Sequence, residues 1–229
     1  MSQLTPELVD ALRQLDACAI SNAIERFDVR LRNEGFVDAS VRAQFDRLPP
    51  VVGHAVTARI RCSTPPPVGH IYLDRTDWWS YILTVPAPRI VIAEDVDELP
   101  GTGAFVGELH STILQALGCV AYASNGAVRD LPQVERMGFQ FFAGRASVSH
   151  AFVHIVDFGQ PVTIGGLAVE PGDIVYGDRH GLLTVPKGIV ADIPRVAAGL
   201  KAKESQIIEL CRSPHFSLNA LRTLMREQG

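Results

Sequence analysis

The chain has 229 residues, 47% hydrophobic and 20% charged, with a formal net charge of −4, the profile of a soluble globular protein with ample material for a core. The acidic balance offers no basic stripe for nucleic acid, and no apolar run approaches the ~20 residues that cross a bilayer. Met1-Ser2-Gln3-Leu4-Thr5-Pro6 lacks the basic and apolar regions of a secretory signal, and Cys18, Cys62, Cys119 and Cys211 form no C-x-x-C pair, so the expectation is a cytoplasmic protein with reduced thiols.

Thr5-Pro6-Glu7 ahead of Leu8, Val9, Leu12 and Leu15 predicts a capped amphipathic helix with Pro at its first position. Residues 18–27 read as a second helix opened by Ser21-Asn22, and residues 30–48 are polar and irregular. Residues 51–62 alternate as a strand, which Pro65-Pro66-Pro67 breaks with a stiff extended turn. Residues 74–83 predict a helix whose Trp78, Trp79 and Tyr81 face the core or another subunit. Arg89-Ile90-Val91-Ile92-Ala93 is a buried strand ending at Glu94-Asp95, with Asp95 and Asp97 beyond it. After the glycine-rich loop 101–108, Leu109, Ile113, Leu114 and Leu117 mark a helix that Gly118 stops. Residues 119–123 form the next strand, so strand, helix and strand make a right-handed crossover with parallel strands. A short strand follows at 140–143, and residues 153–185 read as a meander or small barrel-like sheet with turns at Gly165-Gly166, Pro171-Gly172-Asp173 and His180-Gly181. Helices at 187–211 and 217–226 close the chain. No repeat or linker divides it, which predicts one layered α/β domain.

The chemistry concentrates in Asn125-Gly126-Ala127-Val128-Arg129-Asp130, where a strand meets a glycine turn and presents a cation beside an anion. Ligands of parallel sheets bind outside the carboxyl ends of the strands, which puts the 101–108 loop and Arg129-Asp130 on one rim. Arg129 offers a planar fork of donors for a carboxylate or enolate oxygen. Asp130 offers hard oxygen suited to Mg2+ or Mn2+; the plainer alternatives are a surface ion pair with Arg129 or a cap for a helix at 131–137. His110, one turn into the helix behind Gly107, either touches substrate or bonds to a neighbour. His150 and His154 are four apart, but the zinc-protease glutamate is missing and their setting is β-rich. Asp178-Arg179-His180-Gly181 suits a hairpin turn better than a catalytic cluster. Asp95 and Asp97 stand where they would add charge to the rim. Gly101-x-Gly103-x-x-x-Gly107 is a poor nucleotide loop: residues 95–100 separate it from its strand, and the following strand ends without a ribose-gripping acid.

Gly107-Glu108-Leu109, Gly126-Ala127-Val128-Arg129-Asp130, Gly165-Gly166-Leu167-Ala168-Val169, Pro171-Gly172-Asp173 and Asp178-Arg179-His180-Gly181, in this order and at these separations, resemble the family of the regulator of ribonuclease E activity and the class II 4-hydroxy-4-methyl-2-oxoglutarate aldolases. The resemblance runs over residues 51–186, with N-terminal helices at 5–27 and C-terminal helices at 187–226 outside it. It implies a single swivelling-domain-like α/β domain in β/β/α layers, assembled as a homo-oligomer, a trimer or hexamer, with active sites between subunits. It further implies that Asp130 holds Mg2+ or Mn2+, that Arg129 contacts the substrate, and that Gly107, Glu108, Leu109 and His110 present backbone N–H groups to its carboxylate, in keeping with anion binding at helix starts. Glu204 is the position matched to an acidic residue that a neighbouring subunit contributes. Two departures stand out: Asn125 and Gln133 occupy positions where the family aldolases carry acidic residues. The implied reaction is retro-aldol cleavage or β-decarboxylation of a small-molecule 2-oxo acid through a pyruvate enolate, with a coordinated water as base and no lysine at hand for a Schiff base. The other reading the family permits is a non-catalytic protein that restrains a ribonuclease or similar partner, and Asp130 is the residue that argues against it.

Overall fold

The structure, a computed structural model, describes residues 4–66 and 75–228. In chain order it comprises α1 (Pro6–Arg13), α2 (Ala17–Glu25), β1 (Arg42–Ala43), β2 (Val51–Arg61), α3 (Arg75–Thr84), β3 (Arg89–Asp95), β4 (Ala104–Val106), α4 (Glu108–Ala116), β5 (Cys119–Val128), α5 (Leu131–Arg136) and β6 (Gln140–Ala146). There follow β7 (His154–Phe158), β8 (Val162–Ile164), β9 (Leu167–Val169), β10 (Ile174–Asp178), β11 (Gly181–Val185), α6 (Ile193–Arg212) and α7 (Leu218–Gln228). Pro67 of the proline run and Asp74, the expected first residue of α3, lie outside the described residues.

The centre is the parallel run β6-β5-β3-β2. Its strands alternate strictly between two apolar clusters: Ile90, Ile92, Ala121 and Ala123 face one way, and Val91, Ala93, Tyr122 and Phe141 the other. A parallel sheet covered on both faces needs this near-continuous apolar sequence. Trp78 and Ile82 of α3, Leu114 of α4 and Val134 of α5 cover the second face. The β8-β9 hairpin, through Val162, Ile164, Leu167 and Val169, covers the first. The result is the expected β/β/α layering. On the far edge β10 pairs antiparallel with the first half of β2, β11 follows it, and β7 takes the second half of β2. A third cluster packs Leu12, Ile20, Ala23 and Ile193 of the flanking helices onto Tyr176, Leu183 and Val185.

Several local expectations hold for the physical reasons that prompted them. Thr5 Oγ1 accepts the Leu8 N–H at 3.3 Å, with Pro6 at the start of α1. Trp78 is buried against Tyr81 and Phe158. Residues 178–181 form the tight β10-β11 turn, in which Asp178 accepts the His180 N–H and, across the fold, the Ala17 N–H, each at 2.8 Å.

Others are corrected. α2 begins at Ala17, because Asp16 rather than Ser21-Asn22 caps it. Asn125-Gly126 is not a turn: β5 continues to Val128, and Gly126 serves as a place without a side chain, since a Cβ there would lie 3.0 Å from Asp95 Oδ2. The 153–185 segment is no continuous meander, since its strands go to three separate places. α6 starts at Ile193, after turns at 187–192. No helix among the described residues is long and apolar enough to cross a membrane.

Candidate active site

The rim is organised by the three residues of β4, which pairs parallel with the end of β5. Their carbonyls accept in succession: Ala104 O from His150 Nδ1 at 3.0 Å, Phe105 O from His110 Nδ1 at 2.8 Å, and Val106 O from the Arg129 backbone N–H at 3.1 Å. A carbonyl can only accept, so both imidazoles carry their proton on Nδ1 in these bonds. One short strand thus sets the positions of a guanidinium-bearing residue and two imidazoles that lie far apart in sequence.

Asp130 follows Arg129 with φ 56° and ψ 36°, the left-handed region, a conformation that costs most non-glycine residues roughly 1–2 kcal/mol. The turn swings its carboxylate away from α5. Only its backbone carbonyl serves that helix, accepting from Gln133 and Val134 at 3.1 Å each. The side chain crosses to α4 instead, where Oδ2 accepts the Glu108 N–H at 3.0 Å while Oδ1 meets Arg129 Nε at 3.3 Å. The local cap over 131–137 is therefore replaced by a long-range one. Gly107 makes the crossing possible, because a Cβ there would stand 2.3 Å from Asp130 Oδ2 and 2.7 Å from Arg129 Cγ. The Glu108 N–H is the main cause that holds the Asp130 carboxyl below its ordinary range; burial opposes it, and the hydrogen bond and charge of Arg129, with a lesser contribution from His150, keep the balance on the lowered side. Asp130 is an ionised carboxylate at neutral pH, with its side chain 30% exposed.

Gly107, Leu109, His110, Arg129 and Asp130 line one cleft of about 590 Å³, together with His150 and the apolar wall of Phe152 and Val153. Glu108 enters differently from the expectation: its side chain is exposed, and its N–H is committed to Asp130 rather than offered to a substrate. Glu204 lies on α6 beside a separate cleft shared with Cys18 and Asn22 of α2, apart from Asp130 within one chain. Neither Asn125 nor Gln133 lines the Asp130 cleft. Asn125 clasps β3 instead, accepting the Asp95 N–H at 2.7 Å and donating to the Asp95 carbonyl at 3.0 Å. A carboxylate could supply only the accepting half of that clasp.

Asp95 and Asp97 are buried beneath the rim rather than displayed on it. With Cys62 they bring three ligand-type atoms within 4.8 Å. Their oxygens are occupied by the chain: Asp95 accepts from Gly101 N at 2.8 Å and Asp97 N at 3.2 Å, and Asp97 from Cys62 N at 2.8 Å, Ser63 N at 2.7 Å and Ser63 Oγ at 2.6 Å. Burial raises the Asp95 carboxyl and lifts the Cys62 thiol to about 12. The cluster staples the 95–103 segment to the end of β2. His150 and His154 do not share a helix: His150 sits in a turn on the cleft, whereas His154 opens β7 with its Nδ1 on the Phe152 carbonyl. The sequence offers His150 only as half of a metal pair with His154; its place on the cleft, like those of Phe152 and Val153, is not legible there, and its anchor lies 46 residues away.

A family model described as RraA-like, Aldolase/RraA, matches residues 5–184. A protein of Halalkalibacterium halodurans named "Putative 4-hydroxy-4-methyl-2-oxoglutarate aldolase" is 26% identical over 121 residues, 52% of this chain and 55% of that protein, so the match spans about half the relative's length. Among solved structures, an uncharacterized protein from Pseudomonas syringae pv. tomato superposes with a TM-score of 0.74 at 20% identity, over 97% of this chain and 95% of the other. Streptomyces coelicolor RraAS2, described as an unusual member of the RNase ES inhibitor RraA protein family, gives 0.68 at 19% identity, over 93% and 100%. At such identities these two structures speak to the fold alone.

Proposed function

The chain belongs to the RraA-like family, and from that premise we propose that it is a divalent-metal-dependent lyase acting on a 2-oxo acid, by retro-aldol cleavage of a 4-hydroxy-4-methyl-2-oxoglutarate-like substrate or decarboxylation of oxaloacetate. The observation that carries the reading is the Asp130 carboxylate, held ionised and open to the cleft beside Arg129 at the start of α4. Each of its oxygens engages one protein donor and keeps lone-pair capacity. A partly exposed carboxylate on an open cleft fits Mg2+ or Mn2+, hard cations held by one or two carboxylates with substrate and water completing the shell. Asp130 is the residue that would hold the ion, and the ion when bound supplies a Lewis acid at the 2-oxo oxygen.

The chain's own groups supply the rest. Arg129 presents a fixed positive charge where the 2-oxo oxygen gains charge as the carbon–carbon bond breaks, a contribution worth about 10²–10³-fold in rate for a comparable donor. Leu109, Phe152 and Val153 give the open cleft an apolar side for a short, branched substrate to pack against. The same reading takes the protein to be cytoplasmic and homo-oligomeric. The alternative, a non-catalytic partner of a ribonuclease, would leave the Asp130 carboxylate only its structural task, the cap on Glu108 N–H and the pairing with Arg129.

The test is pyruvate release from oxaloacetate and from 4-hydroxy-4-methyl-2-oxoglutarate with Mg2+ or Mn2+ present, comparing wild type with Asp130→Asn. The substitution keeps the size of the side chain and should lower turnover at least 100-fold. A variant at wild-type rate, or a wild type that releases no pyruvate from either acid, refutes the proposal.

A further inference from the structure

Retro-aldol cleavage and β-decarboxylation differ in one demand. Cleavage requires a base for the C4 hydroxyl proton, whereas decarboxylation requires none. Asp130 is already engaged, one oxygen on the Glu108 N–H and the other on Arg129, and is the residue assigned to the ion, so the base has to be sought elsewhere. Arg129 stays charged. Among the described residues lining the cleft no lysine appears, so the side chains able to take the proton in place of a coordinated water are the imidazoles of His110 and His150.

The two differ in setting. His110 is half-buried on α4, its ring 5.2 Å from that of Phe105. His150 stands exposed at the start of a turn and lines the same cleft as Arg129 and Asp130. That turn is built with some care. Ala104 N–H donates to Ser149 O at 2.9 Å, and the imidazole returns the contact through Nδ1 to Ala104 O at 3.0 Å. Gly103 lets the two segments close, since a Cβ there would lie 2.3 Å from the His150 carbonyl oxygen. Ala151, the next residue, has φ 46°; it and Asp130 are two of the three non-glycine residues with positive φ among those described. Backbone strain of this kind persists where surrounding structure over-determines it, and it gathers at functional sites. With Nδ1 donating to a carbonyl, the basic lone pair of His150 is on Nε2.

We propose that His150 is the acid–base residue of this cleft, an assignment that rests on the 2-oxo acid lyase reading. Nε2 takes the proton of the C4 hydroxyl as the C3–C4 bond breaks. The hydroxyl oxygen becomes the carbonyl of the first pyruvate, and the bond's electron pair forms the enolate of the second, with its charge on the C2 oxygen beside Arg129. The imidazolium then returns the same proton to C3, which completes the second pyruvate and restores neutral His150.

The experiment compares His150→Ala with wild type on 4-hydroxy-4-methyl-2-oxoglutarate and on oxaloacetate, with and without added imidazole. Cleavage should lose at least about 100-fold in kcat with little change in KM, the scale of general-base catalysis. Free imidazole should restore part of it, and decarboxylation should fall less than tenfold. In the wild type, 15N correlation spectra of the histidines should show His150 protonated on Nδ1. Cleavage within threefold of wild type, an equal loss on both substrates without rescue, or an Nε2-protonated His150 would each overturn the assignment. A wild type inert toward both acids would instead remove the lyase premise, and the assignment with it.

Discussion

Gly107→Ala separates chemistry from mere folding at this rim. Gly107 has φ −136°, so alanine meets no backbone penalty and the whole effect is steric. The added Cβ would sit 2.3 Å from Asp130 Oδ2, where ordinary contact begins at 3.4 Å, so the carboxylate must retreat by about 1 Å. Arg129 Cγ, at 2.7 Å from the same point, obstructs on the other side. The retreat breaks the 3.0 Å bond from the Glu108 N–H, the long-range cap of α4. Losing a cap costs about 1 kcal/mol, or roughly 2–4 °C in Tm for a domain of this size. A displacement of ~1 Å at a reacting group costs about 100-fold in rate. Differential scanning fluorimetry and a pyruvate-coupled assay should therefore report a small stability loss with a large activity loss. Gly188→Ala is the control, being exposed with nothing within 4 Å of its added Cβ. A Gly107→Ala protein with wild-type rate and Tm would refute the claim that this close approach holds the carboxylate in place.

Asp97→Ala should do the reverse, destabilising the fold by roughly 1–3 kcal/mol, or about 2–12 °C in Tm, because the buried Cys62 N–H loses its 2.8 Å acceptor. Burial opposes ionisation of Asp97, but hydrogen bonds from Ser63 and the Cys62 N–H, with the Arg61 charge, outweigh it and leave the carboxyl lowered. Its stabilisation is thus fully present above the unfolded value near ~4 and fades as pH falls through the folded one, so the Tm gap between variant and wild type should narrow in acid. A pH-independent gap, or none, would show that the staple contributes little. Ile208, Phe216, Leu218 and Met225 are exposed on and beside the C-terminal helices, and α7 buries no residue within one chain. We expect a trimer or hexamer by sedimentation equilibrium, shifted to smaller species by Leu218→Asp; a monomer at micromolar concentration would contradict this.

Near-continuous apolar runs marked β3 and β5, because a strand buried on both faces has little room for polar side chains. The same texture hid where β5 ends. Asn125-Gly126 carries the composition of a turn, yet Asn125 clasps the backbone of Asp95 in the adjacent strand and Gly126 admits the Asp95 side chain, relations fixed by register rather than by neighbours in sequence. Asp130 shows the same limit from another side. As a residue type it was legible as a cap or a ligand, but the helix it caps begins 22 residues earlier, and only the pairing of β4 with β5 brings the two together.

That pairing also explains how an open cleft can hold reacting groups firmly. β4 has three residues, and each spends its carbonyl on a different part of the rim: His150, His110 and the Arg129 backbone. The left-handed conformations of Asp130 and Ala151 are tolerable because both lie next to residues fixed in this way. Precision here comes from regular secondary structure supporting two strained turns, not from enclosure. If that is right, disturbance of β4 should displace the guanidinium and the imidazoles together. Losses from variants of Arg129 and His150 should then be additive only while β4 keeps its register, since groups that share one support are coupled.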